Sequence, residues 1–266
     1  MKKIQSVVAC ALALTLIGAA NLSSAQSGRV EGKAIVRAVH GNVEAQENGS
    51  WVPLRPNKEL DPGVKIRTGP DSSTDLSVNG YSSTVRIQEN TTMVIPEMFR
   101  VGPGREADTD TTLDLQLGTV LGNVKKLSAS SRYEIRTPHG VAGIRGTDFQ
   151  VTVVMEPGGG YVVTFTSVTG ELTVSAVINP GEAPVVKVLR TGESWTPGNG
   201  DVVPTPPQII AAALAEINSL PNGGTANVNI PTPPRIPTFP SGGPPNGLPS
   251  PPAVPPPPSN PGNTGT

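Results

Sequence analysis

Cysteine is almost missing from this chain: Cys10 is the single one in 266 residues. It falls inside an apolar N-terminal run, so the chain downstream has no thiol for a disulfide framework, a nucleophile or a thiolate metal site. Histidine is nearly as scarce, with only His40 and His139, each followed by glycine as at a strand end. A metal site shared by the two would need a third ligand that no spacing supplies. No Gly-x-Ser-x-Gly elbow occurs. Aromatic residues make up 3% of the chain. Neither sign of charge dominates: between Gln26 and Gly200, 17 Lys and Arg are interspersed with 19 Asp and Glu. That balance excludes a basic groove for nucleic acid and an acidic block for a basic partner. Together these absences predict a protein that is not an enzyme, with no catalytic residues, no cofactor and no metal.

What is present begins with an address. Met1-Lys2-Lys3 is a short basic segment, Val7 to Ala20 is apolar, and Ser23-Ser24-Ala25 supplies small residues for cleavage before Gln26. This order reads as an export signal over 1–25. The apolar run is too short for a membrane anchor and has no stop-transfer flank. Val7-Val8-Ala9-Cys10 imitates a lipoprotein cleavage box, but the apolar run follows it instead of preceding it. The mature chain is expected to carry no transmembrane segment and to be periplasmic or secreted from a bacterium.

From Lys33 to Trp195 the apolar period is two. Leu76 and Val78 alternate with Asp75 and Ser77, Val85 and Ile87 with Thr84, Arg86 and Gln88, and Leu113, Leu115 and Leu117 with Asp114 and Gln116. Short alternating runs bounded by Gly, Pro, Asn and Asp are half-buried strands. Asn48-Gly49 is a two-residue hairpin signal, and Asp61-Pro62-Gly63, Asn79-Gly80, Gly102-Pro103-Gly104 and Pro157-Gly158-Gly159-Gly160 mark later turns. Gly41-Asn42-Val43, Gly118-Thr119-Val120 and Gly170-Glu171-Leu172 repeat one pattern at unequal spacing, with glycine at a sharp strand entry. The fold class read from this is all-β: one solenoid-like or sandwich-like domain over residues 26–200.

The C-terminal part has another composition. Of the 30 prolines, 19 lie from Pro204 to Pro261, and Phe239 is the only aromatic residue past Trp195. Residues 201–224 read as a linker with a short helix. Pro206 and Pro207 start it, Pro221 to Gly224 stop it, and Ile209, Ile210, Ala213, Leu214, Ile217 and Leu220 share one face. Docking on an end of the β-domain, over an open edge or core, is the favoured reading of that stripe, with partner binding as the other. Residues 225–266 form a disordered proline- and glycine-rich tail that cannot bury enough surface to offset its ordering entropy.

Two segments suggest chemistry. Glu106, Asp108, Asp110 and Asp114 are the densest acidic cluster, with the first three calcium-loop spacings. Thr111 and Leu117 stand where such a loop needs glycine and glutamate, so a solvated loop is expected. Gly140-Val141-Ala142-Gly143-Ile144-Arg145-Gly146-Thr147 is glycine-spaced like a phosphate cradle, but a strand follows it instead of a helix. The glycines then serve close packing in a strand–turn–strand unit, and Arg145 is expected to pair with a carboxylate or with exposed carbonyls.

That stretch, from Arg136-Thr137-Pro138 through Arg145-Gly146-Thr147-Asp148-Phe149-Gln150-Val151, resembles the hallmark of FecR domains. In order around it stand Gly41-Asn42-Val43, Trp51-Val52-Pro53-Leu54, Leu60 to Gly69, Leu76-Ser77-Val78, Val85-Arg86-Ile87 and Leu115 to Val120. The likeness runs from about Ala34 to Thr173. It implies a periplasmic, β-rich, solenoid-like domain. In its best-known setting this domain follows an anti-sigma segment and a membrane helix and relays iron-uptake signals from an outer-membrane transporter. With an export signal first and no second apolar span, this chain is expected to work without those parts.

The function expected is an exported cell-envelope protein-interaction or scaffolding module. An interaction or structural motif is expected at Thr137, Pro138, Arg145, Gly146 and Thr147, and the expected partner is an envelope protein. A carbohydrate or cell-wall binder is the alternative. It would need two of Trp51, Trp195 and Tyr161 coplanar on an exposed face.

Overall fold

A computed structural model of the chain describes residues 28–80, 83–102 and 107–221. The expected export signal and all of the expected tail lie outside these residues. The described chain opens with nine strands: β1 (Arg29–Glu31), β2 (Ala34–His40), β3 (Val43–Glu47), β4 (Ser50–Pro53), β5 (Glu59–Leu60), β6 (Val64–Thr68), β7 (Ser73–Val78), β8 (Ser83–Ile87) and β9 (Thr92–Val101). A long strand, β10 (Asp108–Val124), follows. Then come β11 (Arg132–Thr137), β12 (Gly140–Ile144), β13 (Asp148–Met155), β14 (Tyr161–Thr169), β15 (Glu171–Ala176), β16 (Val185–Arg190), β17 (Glu193–Trp195), β18 (Val203–Pro204) and one helix, α1 (Pro207–Asn218).

The strand pairings build a sandwich of two open sheets. The first runs β4-β3-β6-β9-β10-β11-β12-β15-β16, with β1 beside the far end of β9. The second runs β5-β2-β7-β8-β10-β13-β14-β17-β18. Of the two architectures open in the sequence, this is the sandwich. β10 is the central strand of both sheets. Its Asp108–Leu117 stretch pairs with β9 and its Gly118–Asn123 stretch with β13.

The switch is made at Gly118, where φ is 92°. A Cβ there would overlap the Thr91 hydroxyl and lie 2.5 Å from the Thr91 Cα, so only glycine fits. The Thr91 hydroxyl uses the space, accepting the Thr119 N–H at 3.0 Å. Of the repeated Gly-x-Val/Leu units, Gly41 and Gly170 likewise sit at crossings from one sheet to the other.

Alternation along each strand sends one set of side chains between the sheets. Ile66, Met93, Ile95, Leu113, Leu115 and Ile135 come from the first sheet and Leu76, Val85, Ile87, Val151 and Phe165 from the second, all fully buried in one cluster. Each such side chain contributes about 1.5–3 kcal/mol by leaving water. Tyr133 and Ser83 link the sheets across the core, the serine hydroxyl donating to the phenol oxygen at 3.2 Å. Burial pushes the Tyr133 phenol far up, keeping it neutral.

The helix does not sit on an edge or an end. It lies on the outer face of the second sheet, where Ala213, Leu214, Ile217 and Leu220 cover Leu121 of β10 and Val168 of β14. A polar clasp flanks this contact. Arg86 holds the buried Asp75 through two bonds of 2.7 and 2.9 Å and donates to the Ser219 hydroxyl at 3.0 Å, while Gln88 donates to Glu216 at 2.8 Å. The segment expected as a linker is therefore packed, through its helix, against the β-domain.

Candidate functional site

The two parts of the glycine-rich motif lie at opposite ends of β12. Thr137, Pro138 and His139 belong to the β11–β12 hairpin, whose turn is closed by Thr137: its hydroxyl accepts the Gly140 N–H at 3.1 Å and donates to the Gly140 carbonyl at 2.8 Å. Arg145, Gly146 and Thr147 form the crossing from β12 to β13, roughly 20 Å away at the rise of a strand. Thr147 is buried and structural. Its N–H donates to Val124 and its carbonyl accepts from Val124, each at 3.0 Å, and its hydroxyl donates to the Glu171 carbonyl at 2.8 Å. Gly146, at φ 79°, lets this crossing pass against the Lys126 backbone, where a Cβ would lie 3.1 Å from the Cα. Arg145 departs from expectation: it is exposed, with no ion pair or hydrogen bond among the described residues.

The acidic cluster is also not a loop. Asp108, Asp110 and Asp114 stand on β10, and Glu106 lies outside the described residues. Asp110 is occupied by Arg132 at 3.0 Å and Arg29 at 3.3 Å, and Arg29 also lies 3.8 Å over the Phe99 ring. Hydrogen bonds from Ser128 and Ser130 hold the Asp108 carboxyl below its usual range. Among the described residues no three His, Cys, Asp or Glu side chains are grouped to hold a metal.

Among the described residues, Trp51, Trp195 and Tyr161 do not form a sugar platform. Trp195 is 1% exposed and donates its indole N–H to the Gly200 carbonyl at 3.1 Å. Trp51, on β4 of the first sheet, is covered by the Arg67 guanidinium at 4.1 Å. Tyr161 opens β14 of the second sheet and packs against the core.

Sheet edges separate the remaining surface into closed and open parts. β5 and β18 have two residues each, and β4 has four and ends in Pro53. Such edges cannot accept another strand over any length. β16 has six residues, no proline, and pairs only with β15. Its outward Val186 and Val188 are 59% and 42% exposed, while Lys187 points to the inner side and binds Asp201 at 2.8 Å. Beyond the start of β16 the surface continues into a shallow groove lined by Pro138, His139, Val177, Ile178, Pro180 and Pro197. Pro138 is the one residue of the expected motif that faces it. Val186 and Val188 carry no motif. The only signal in the sequence is a valine run interrupted by a single lysine, which reads as an ordinary strand until its lack of a second neighbour is seen.

The match to known sequences falls on this frame. Residues 64–167 match the family described as FecR protein. The stretch runs from the start of β6 into β14, so it contains all of β10 and the Arg145 crossing. Two crystal structures of a candidate anti-sigma factor from Parabacteroides distasonis ATCC 8503 are similar in fold, at 16% identity and TM-scores of 0.41 and 0.40. The similarity covers 56% of this chain and 63% and 62% of theirs, so this chain spans less than two thirds of the solved chains it matches. No curated protein matches. No helix among the described residues is long and apolar enough to cross a membrane.

Proposed function

We propose that this chain is an exported, non-enzymatic module of the bacterial cell envelope whose FecR-like domain docks an extended segment of another envelope protein along β16. The carrying observation is the one long, proline-free edge in the sandwich, with two exposed valines on its outer side and an apolar groove at its start. Backbone pairing along β16 supplies affinity, and alternate side chains supply selectivity. Lys187 sets the selectivity: an incoming strand must place a small or acidic residue beside it, since an apolar one would bury an ammonium. Family membership of the matched stretch supports protein interaction in envelope signalling. The export signal at 1–25 and the spacer role of the tail belong to the same reading. Thr137, Gly146 and Thr147 build the fold around this surface, and Pro138 borders it.

The test immobilises the chain from Gln26 onward, exposes it to an envelope fraction, and maps crosslinks by mass spectrometry. The expected result is an envelope protein crosslinked to residues 177–190 and lost in a Val186→Lys, Val188→Lys double variant that melts like the parent. Arg145→Ala should retain it. Retention on purified wall polysaccharide with no protein partner, or crosslinks that avoid β16, would overturn the reading.

A further inference from the structure

Several of the crossings between the sheets are gathered in two rows, one at each end of the sandwich. Three from the first half of the chain lie at the Gly118 end of β10: Gly41-Asn42, then Gly69 to Ser72, then Glu89 to Thr91, joined by hydrogen bonds from Gly69 to Asn42 and from Asn90 to Gly69. In the second half they lie at the Val124 end, since Thr147 pairs with Val124 and Gly170 packs on Gly146. Six residues of β10 separate the two ends, roughly 20 Å.

The rows carry opposite charge. The Gly118 end holds a concave site lined by Asp71, Glu89, Glu216 and His40. Arg86 and Gln88 also line it, but the guanidinium is committed to Asp75 and the amide to Glu216. Asp71 and Glu89 are exposed and make no ion pair among the described residues; one Glu89 oxygen accepts the Asp71 N–H at 2.8 Å. The Val124 end presents Lys126, Arg145 and Arg190, all exposed and none in an ion pair among the described residues. Glu171 and Glu193 stand among them. The Glu193 carboxylate accepts the Arg190 backbone N–H at 2.7 Å, so it does not neutralise that side chain by direct pairing. Each row is convex or concave in the complementary sense: Arg145 projects from a crossing, and the acidic site is recessed between crossings and α1.

We propose that the acidic site receives Arg145 of a second copy, with Lys126 beside it, so that copies associate head to tail. A guanidinium fork satisfies two carboxylates in one plane, which suits Asp71 and Glu89. The two surfaces differ and lie at opposite ends, so the contact is heterologous and extends into open chains instead of closing a dimer. Contacts between exposed charges are weakened by salt, because the screening length is about 10 Å at 0.1 M. The inference does not rest on the β16 reading: Arg190, the last residue of β16, borders the basic row, but the contact itself is made by Arg145 and Lys126.

Sedimentation velocity of the chain from Gln26 to Thr266 tests it. The expected result is a sedimentation coefficient that rises with protein concentration at low salt and stops rising in about 0.5 M salt, where screening is nearly complete. Arg145→Glu and Glu89→Lys should each weaken association at least about tenfold, the scale of a mismatched charge at a contact. Mixed one to one, these two variants should associate again, because one retains the acidic site and the other the basic crossing, and the two reversed charges are complementary to each other. A monomer at every concentration, self-association that persists in Arg145→Glu, or a mixture that stays monomeric would each overturn the proposal. So would a wild-type chain that stays monomeric while binding polyphosphate through Arg145, which would assign the basic row to an anionic polymer.

Discussion

The halves before and after β10 solve one problem in two ways. Each supplies strands to both sheets, and each lays its outermost strands at an edge. The first half turns three of its corners at the Gly118 end in a closely packed row, where Thr68, Thr91 and Ser72 hydroxyls bind backbone groups of neighbouring corners. Its β8 is tied to α1 by the polar clasp from Arg86 and Gln88, while the apolar face of the helix rests on β10 and β14. The second half turns at the Val124 end with less uniform corners: Gly170 packs on Gly146, but nothing lies within 4 Å of a Cβ built at Gly192. It is also this half that leaves β16, its groove and the uncommitted cations exposed. One half is closed by packing, and the other keeps its surface available. Rigidity and availability are thereby divided along the chain.

Substitutions can break or sharpen that contrast. The largest effect is expected at Gly118→Ala, where the new methyl meets backbone and φ is unfavourable. A loss of about 3 kcal/mol or more by urea unfolding is expected. The same change at Gly146 should cost about 1–2 kcal/mol, and equal costs would erase the distinction between the rows. Next comes Arg86→Ala, which strands the 4%-exposed Asp75 without its partner. It should cost about 3 kcal/mol, the scale of a broken buried ion pair, and raise hydrogen exchange across 207–218 as the clasp on α1 is lost. Exchange that rises elsewhere while 207–218 stays protected would contradict that placement. Thr147→Val is smaller, about 1 kcal/mol for one buried hydrogen bond to Glu171, read as a modest drop in melting temperature. Asp201→Asn should be smallest at neutral pH. Lys187 holds the Asp201 carboxyl below its ordinary range. The pair's contribution is therefore present above the unfolded carboxylate pKa and fades as the pH falls through the lower folded value. The parent should lose its small advantage over the variant across that acidic window, and an advantage that grows with acidification would reverse the sign.

Much of the fold is legible in the residues because burial is written in alternation. Leu76, Val78, Val85, Ile87, Leu113 and Leu115 each point inward as the period-two pattern requires. Asn48-Gly49 makes its hairpin because both residues take positive φ, 50° and 83°. The partition into two sheets is not legible, since it depends on pairing between distant strands: nothing local distinguishes Leu117 from Val120 as members of different sheets. The acidic cluster was misplaced for a related reason. Asp110 looks solvated beside Asp108 and Glu106, and only the register with β9 and β11 brings Arg29 and Arg132 to it. The motif around Arg145 looked like one patch because sequence distance conceals strand length, which carries Pro138 and Arg145 to opposite ends. Lys126 and Arg190 had no signal of their own. Their shared row is a product of corner stacking.

A single strand at the centre of both sheets has a consequence for how the chain assembles in time. During synthesis from the N-terminus, β8 and β9 each expose an unpaired flank until residues 108–124 arrive, so the first half has no stable resting form of its own. Once β10 is laid down it becomes the template for β11 on one side and β13 on the other. Most partners in this fold are far apart in sequence, which places acquisition of the native state among the slower, millisecond-to-second processes. Neither half can be inherited, excised or duplicated without taking the central strand with it.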